Sequence, residues 1–418
     1  MRLALLLPVF LFTQTILFAQ NICRTNEYRQ QLLLNHPELS SKIAAIEAFT
    51  KNFQKGNGYT TLGLNPASDG NGIITIPVVV HVLYNSQQQN ISDAQVQSQI
   101  DILNKDYRRL NADTVNTPLA FHDVAANCGF QFQLAKVDPN GYATTGIIHK
   151  KTSIQSFGVE DGIKFSAHGG DDAWDKDSYL NIWVGSLNAS ILGYSSVVGG
   201  PKENDGVVVL YTAFGTGGTS IAPYNKGRTT THEIGHWLNL IHTWGDADCG
   251  DDLVDDTPPQ QTSDIGCPSG TIISCNNAPT GNMYQNYMDF TNDECMNLFT
   301  NGQKSRMLAL FQPGGERYAI LSSTALTATP LQNPVSEPIT PSISIYPNPS
   351  VDNITIQLSD DIAIGSQLEI YNGFGQKTTT IIVKQSQFQM NISSFGKGIY
   401  FIKAINGNSK AMSKLVKL

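Results

Sequence analysis

Thr231–Trp244 reads THEIGHWLNLIHTW, and the rest of the chain is placed around it. His232 and His236 are four residues apart, so on a helix both imidazoles leave the same face. Two imidazoles at that spacing can bind one zinc ion. Glu233 follows the first of them, where its carboxylate can reach a water on the metal without being a ligand. The metal lowers the pKa of that water, and the carboxylate takes the proton as the water attacks a carbonyl. The helical pattern runs from about Arg228 to Ile241. His242 lies six residues beyond His236, about 9 Å further along a straight helix. It joins the same metal only if the chain turns sharply after Leu238. Such a turn needs a left-handed residue, and Asn239 is the non-glycine type best suited to one. The alternative is a chance pattern in a core helix, and the third His weighs against it.

Upstream, Ile73–Leu83 (IITIPVVVHVL) is the apolar, β-branched run of a buried strand. Ser92 and Gln95 predict a capping box for a helix with Val96, Ile100, Leu103 and Tyr107 on one face. Phe130–Val137, Tyr179–Gly185 and Gly206–Tyr211 read as strands, with Ile191–Val197 as a further strand between the last two. Strands interleaved with helices predict an α/β or α+β sheet of about five strands. Downstream, Thr300 and Gln303 predict a second capping box, opening a helix with Met307, Leu308 and Phe311. Ser322–Pro341 is dense in Thr, Ser and Pro, as in an interdomain linker. Beyond it the period becomes two. Seven short strands, from ISIYP at 343–347 to SKLVKL at 413–418, predict a small β-sandwich.

At the other end, Arg2 precedes the apolar run Leu3–Phe12, which Thr13, Gln14 and Thr15 interrupt. The run is too short to span a bilayer. Residues 1–19 therefore read as a secretory signal peptide, with a membrane anchor as the alternative. No later stretch is long and apolar enough for a spanning helix, so no integral membrane segment is expected in the mature protein. Leu39, Ile43, Ile46, Phe49 and Phe53 mark one helix face after Pro37, and Gln54–Gly72 is a Gly-, Asn- and Ser-rich loop. A helical preface on a soluble tether reads as a pro-segment over residues 20–72, or as the first helix of the main domain. The 418 residues hold 27 Lys and Arg against 35 Asp and Glu, a net charge of −8 that argues against a nucleic-acid partner. An exported chain can keep disulfides, but six cysteines allow fifteen pairings and spacing alone does not choose.

Together these residues resemble the metzincin zinc metalloproteases, and within them the pappalysin family, from Ile73 to about Arg317. The resemblance implies an α+β metzincin-type catalytic domain over residues 73–320, with a mixed sheet of about five strands and an active-site helix. A linker at 321–341 and the all-β sandwich at 342–418 follow. His232, His236 and His242 match the zinc ligands, Glu233 the general base, and Tyr287-Met288-Asp289 the Met-turn beneath the metal. Disulfides Cys249–Cys275 and Cys267–Cys295 are implied by the family pattern. The acidic block Gly250–Pro258 also looks like the family's, which implies calcium at Asp252 and Thr257; a solvated acidic loop is the alternative. Asn239 stands where the family usually has Gly, and Phe290 where many members have a Tyr near the zinc. Bacterial relatives often favour a basic residue just after the scissile bond. Related proenzymes carry a Cys near the start of the pro-segment, which implies Cys23 as a zinc ligand of the latent state; a Cys23–Cys128 disulfide is the alternative. Residues 342–418 resemble the C-terminal sorting domain of the type IX secretion system. The matches are Tyr346-Pro347-Asn348-Pro349, Tyr371-Asn372-Gly373-Phe374-Gly375-Gln376 and Gly398-Ile399-Tyr400-Phe401. An adhesive or carbohydrate-binding sandwich is the alternative.

The expectation is a secreted or surface-attached zinc endopeptidase, made as a zymogen. It acts on proteins or peptides, carries Zn2+ and Ca2+, and engages the type IX secretion machinery. A metzincin-like surface adhesin without activity is the competing reading, and the intact base Glu233 favours the enzyme. Ile191–Val197 is expected to edge the cleft and take substrate as an added strand.

Overall fold

The computed structural model describes residues 22–55, 72–331, 342–359, 365–406 and 409–418. The signal-peptide reading of 1–19, nearly all of the loop 54–72 and the second half of the linker lie outside the described residues. The chain divides into two compact units, residues 1–331 and 332–418.

The first unit is built on β2 (Ile74–Tyr84), a mostly apolar run broken by Thr75 and His81 and buried on both faces. A first strand, β1 (Ile22–Cys23), precedes it, and β3 (Phe130–Leu134), β4 (Ile147–Lys151), β5 (Leu180–Gly185), β6 (Ile191–Ser195) and β7 (Val207–Leu210) follow. The sheet order is β1-β6-β7-β5-β2-β3, with β4 also paired to β2, so the sheet has seven strands rather than about five. The two extra strands are short or polar: β1 has two residues and β4 is Ile-Ile-His-Lys-Lys, and neither shows a strand period. β6 runs antiparallel to β7, while the other pairs are parallel. Pro77 lies inside the central strand, yet β5 joins β2 only from Val78 onward, so the missing N–H interrupts no ladder on that side.

Among the described residues five α-helices accompany the sheet: α1 (Thr25–Asn35), α2 (Leu39–Lys55), α3 (Asp93–Asp106), α4 (Arg228–Trp237) and α5 (Asn301–Ala309). Ser92 caps α3 by accepting from the Gln95 amide, but the box is only half formed. The Gln95 side chain points away and donates to the Phe214 carbonyl at 2.9 Å, because a buried loop needs that donor more than the helix end does. At α5 both halves of the Thr300–Gln303 box are present. Every residue of α4 is buried, with Ile234, Trp237 and Leu238 in one core with Val207, Val209, Tyr287 and Met288. Two residue pairs, β8 (Ile265–Gly266) and β9 (Phe290–Thr291), form a small parallel ladder. Residues 321–331, read as the start of the linker, pack on this unit: Ala325 is buried and its carbonyl accepts from Lys136 and Val137.

The second unit has a three-stranded sheet, β10-β11-β14, and a four-stranded sheet, β13-β12-β15-β16, all antiparallel. Its strands are β10 (Ile343–Tyr346), β11 (Asn353–Leu358), β12 (Gln367–Asn372), β13 (Lys377–Ile382), β14 (Gln387–Asn391), β15 (Gly398–Asn406) and β16 (Ser409–Lys417). Alternate residues such as Ile354, Ile356, Leu368, Ile370, Ile402 and Leu415 fill its core, as the period of two requires.

Candidate active site

Helix α4 ends at Trp237, four residues short of the expected Ile241, because the chain reverses there. Asn239 takes φ 71°, in the left-handed region. Its amide donates to the His236 carbonyl at 2.9 Å, and the Leu240 amide donates to the Gly235 carbonyl at 2.9 Å. These are the two bonds of a Schellman end, made here with Asn in place of Gly. The reversal returns His242 to the helix. The Nε2 atoms of His232 and His242 each lie 3.1 Å from Nε2 of His236. Three ligands tetrahedrally placed around zinc at 2.0–2.1 Å stand about 3.3 Å apart, so the spacing fits one ion.

The tautomers are set from behind. His232 Nδ1 donates to the Tyr287 carbonyl at 2.7 Å, His236 Nδ1 to the Leu240 carbonyl at 2.9 Å, and His242 Nδ1 to Asp246 Oδ1 at 2.5 Å. Each proton is thereby placed on Nδ1, and three Nε2 lone pairs face one point. Burial and the neighbouring His242 hold the His232 imidazolium pKa down at about 3, and the same causes hold that of His236 well below its usual value. Three buried imidazoles whose Nε2 lone pairs converge on one point repel one another unless a cation sits between them, so the residues fit a metal.

Beneath the histidines, Met288 closes the floor. A Cβ on Gly235 would lie 2.4 Å from Met288 Sδ, so only glycine lets the turn approach the helix. The turn is held by the Asn286 side chain, which accepts from the Met288 amide at 2.9 Å and exchanges two bonds with Gln303. Phe290 extends beside the metal site, its ring 4.8 Å from those of both His242 and Trp244. The position offers no hydroxyl.

Glu233 is fully buried, and burial pushes its carboxyl up to about 8. Its Oε2 accepts from Thr25 Oγ1 at 2.9 Å and faces Cys23 Sγ at 3.6 Å, while Oε1 has no hydrogen-bond partner. A Cβ on Gly193 would lie 2.9 Å from Glu233 Cγ, so β6 passes directly over the acid. The Cys23 thiol and the three imidazoles form a single group whose ligand atoms lie within 4.8 Å of one another. Burial and the facing Glu233 push the thiol's pKa well above its ordinary value. Cys128 is instead a free, buried core residue, so the two unpaired cysteines do not meet.

The segment at Cys23 lies on β6 as β1, with the Arg24 amide donating to the Gly193 carbonyl and the Ser195 amide to Thr25 Oγ1. A second lining beside His232 and Glu233 includes Leu192, Arg228, Asp289, Phe290 and Asp293. Cys249 is bonded to Cys275 and Cys267 to Cys295. Asp252 and Thr257 meet each other, with Thr257 Oγ1 at 2.8 Å from Asp252 Oδ2. Burial raises the Asp252 carboxyl to about 7.

Two partners of the site were not singled out from sequence. Asp246 is four residues after His242, a spacing that could have marked it, whereas nothing near Thr25 points across 208 residues to Glu233.

Residues 166–312 match the family described as Pregnancy-associated plasma protein-A, and residues 344–418 match the Secretion system C-terminal sorting domain. The chain is 32% identical over 252 residues to an extracellular metalloprotease of Pyricularia oryzae, covering 57% of this chain and 75% of that one. An extracellular metalloprotease of Arthroderma otae is 33% identical over 267 residues, covering 61% and 84%. Among solved structures, mature mirolysin of Tannerella forsythia in complex with a cleaved peptide is 48% identical, with TM-score 0.60, covering 62% of this chain and 99% of that one. A point mutant of Tannerella forsythia promirolysin is 44% identical, with TM-score 0.64, covering 72% and 96%.

Proposed function

Since the chain belongs to the pregnancy-associated plasma protein-A family and is a secreted or cell-surface metalloendopeptidase, we propose that its metal is zinc, that Glu233 is its base, and that residues 20–72 are a removable pro-segment. The observation that carries this reading is the set of three Nε2 atoms at 3.1 Å spacing, with Glu233 beside it. His232, His236 and His242 would hold the ion, and an all-imidazole set suits zinc. Bound there, the metal supplies Lewis acidity to a water and to the scissile carbonyl. Glu233 would take the proton of the attacking water and return it to the leaving amine.

Latency follows from Cys23, Thr25 and β1, which occupy the base and the edge of β6 in the described chain. Promirolysin matches a larger share of this chain than mature mirolysin does, in keeping with a family member that carries an N-terminal segment. Once β1 is gone, β6 offers its free edge to a substrate strand of a protein or peptide. Residues 342–418 would engage the type IX secretion machinery. Asp252 and Thr257 are the place proposed for calcium, since a carboxylate at that depth needs a proton or a cation.

The test is zinc content and casein cleavage by the mature protein and its Glu233→Ala variant. About one zinc per chain in both, with cleavage by the first alone, is the expected result. An active Glu233→Ala variant, or a chain that takes no zinc, overturns the reading.

A further inference from the structure

Helix α2 belongs to the N-terminal segment, and it packs beside the turn that follows His236 rather than on the Nε2 atoms themselves. Its Glu47 forms a two-bond fork with Arg306 of α5, Nη1 to Oε1 at 2.7 Å and Nη2 to Oε2 at 2.8 Å. Arg306 is fully buried, and it also donates to the backbone carbonyl of Asn239, from Nη2 at 3.0 Å and from Nε at 3.3 Å. Asn239 is the residue that reverses the chain between His236 and His242. Its side-chain Nδ2 donates to Thr50 Oγ1 of α2 at 3.4 Å, and Thr50 is itself fully buried.

A glycine would make the reversal without strain, so an asparagine there costs stability unless its side chain does something. What it does is bond to α2. The guanidinium has the same logic. With α2 seated, a buried Arg that loses its carboxylate partner is left as an uncompensated charge, so the seated state depends on Glu47. Leu39, Ile43 and Ile46 of α2 add apolar contact with the two cores.

We propose that the Glu47–Arg306–Asn239 junction is a second latch, which docks α2 on the turn between the metal ligands independently of Cys23 and of the metal. The proposal rests on the reading of residues 20–72 as a removable pro-segment. The latch keeps the segment seated after the thiol lets go, so exposure of the metal and release of the segment are separate events. A partner that competes for this surface must bring a carboxylate on an amphipathic helix.

The test is hydrogen exchange over residues 39–55 in the full chain, in a Glu233→Ala background that prevents self-cleavage. With Cys23→Ala, or after the metal is stripped by a chelator, α2 is expected to stay protected. Adding Glu47→Ala to Cys23→Ala is expected to speed its exchange roughly tenfold or more, with β2 unchanged as the control for folding. Glu47→Gln, which keeps the shape and loses the charge, should fall between. Loss of protection with Cys23→Ala alone overturns the independence, and unchanged protection with Glu47→Ala overturns the latch. Zinc content and casein cleavage by the mature protein, which lacks this helix, test the function separately.

Discussion

The thiol of Cys23 lies 3.6 Å from Oε2 of Glu233, although 210 residues separate them. Thr25 Oγ1 reaches the same oxygen at 2.9 Å, so two groups of one short strand cover the proposed base. While both are seated, Oε2 is taken and Oε1 is buried beneath them, away from any substrate water.

The Cys23→Ala precursor is therefore expected to cleave casein with its N-terminal segment still attached. Thr25→Val on that background should raise the rate further, since it frees the same carboxylate oxygen. A Cys23→Ala precursor that stays fully latent shows that the thiol is not the lock.

Asp246 orients His242 through the 2.5 Å bond to Nδ1. Burial, which would raise its carboxyl, is outweighed by that bond, and the group stays below the usual carboxylate range. Asp246→Ala should weaken metal affinity by about 10–100-fold, as loss of such an outer partner usually does. Competition against a chelator measures it, and an unchanged affinity refutes the role.

Asn239→Val places a β-branched residue at φ 71°. The left-handed region costs such a residue about 1–2 kcal/mol or more, so the turn should open and His242 should leave the other two imidazoles. Lower zinc per chain and a lower melting temperature are expected together. Full zinc retention would show that the reversal does not depend on this residue's backbone.

The Asp252 carboxyl is raised to about 7 by burial, against about 3.9 in an unfolded chain. A group that holds its proton more tightly when folded favours the fold below pH 4, and that advantage is lost as pH rises from about 4 to about 7. Calcium on the ionised carboxylate would restore it. The melting-temperature gain from calcium should be larger at pH 8 than at pH 5, and absent in Asp252→Asn. An equal gain at both pH values, or one that survives the substitution, removes calcium from this position.

Much of the architecture was legible because it is written in periods. The run Ile74–Tyr84 is apolar at most positions and buried on both faces, and the sandwich strands alternate residue by residue. Helix α1 was not legible: its buried residues are only Tyr28 and Leu32, too few to set a helical face. β1 is two residues long and exists because β6 offers an edge, which no local pattern announces.

What the sequence by itself determined is the chemistry of the site. Histidines four apart, a glutamate between them and a third histidine past a left-handed residue restrict the chain locally, through helix pitch and φ preference. What only the tertiary structure decided is which distant groups complete that site. Tyr287 as the acceptor for His232, Thr25 and Cys23 on Glu233, and Glu47 on Arg306 are pairs separated by 55 to 259 residues. Their meeting depends on how the sheet and helices pack, because a hydrogen bond carries no trace in the spacing of its partners unless both lie on one element.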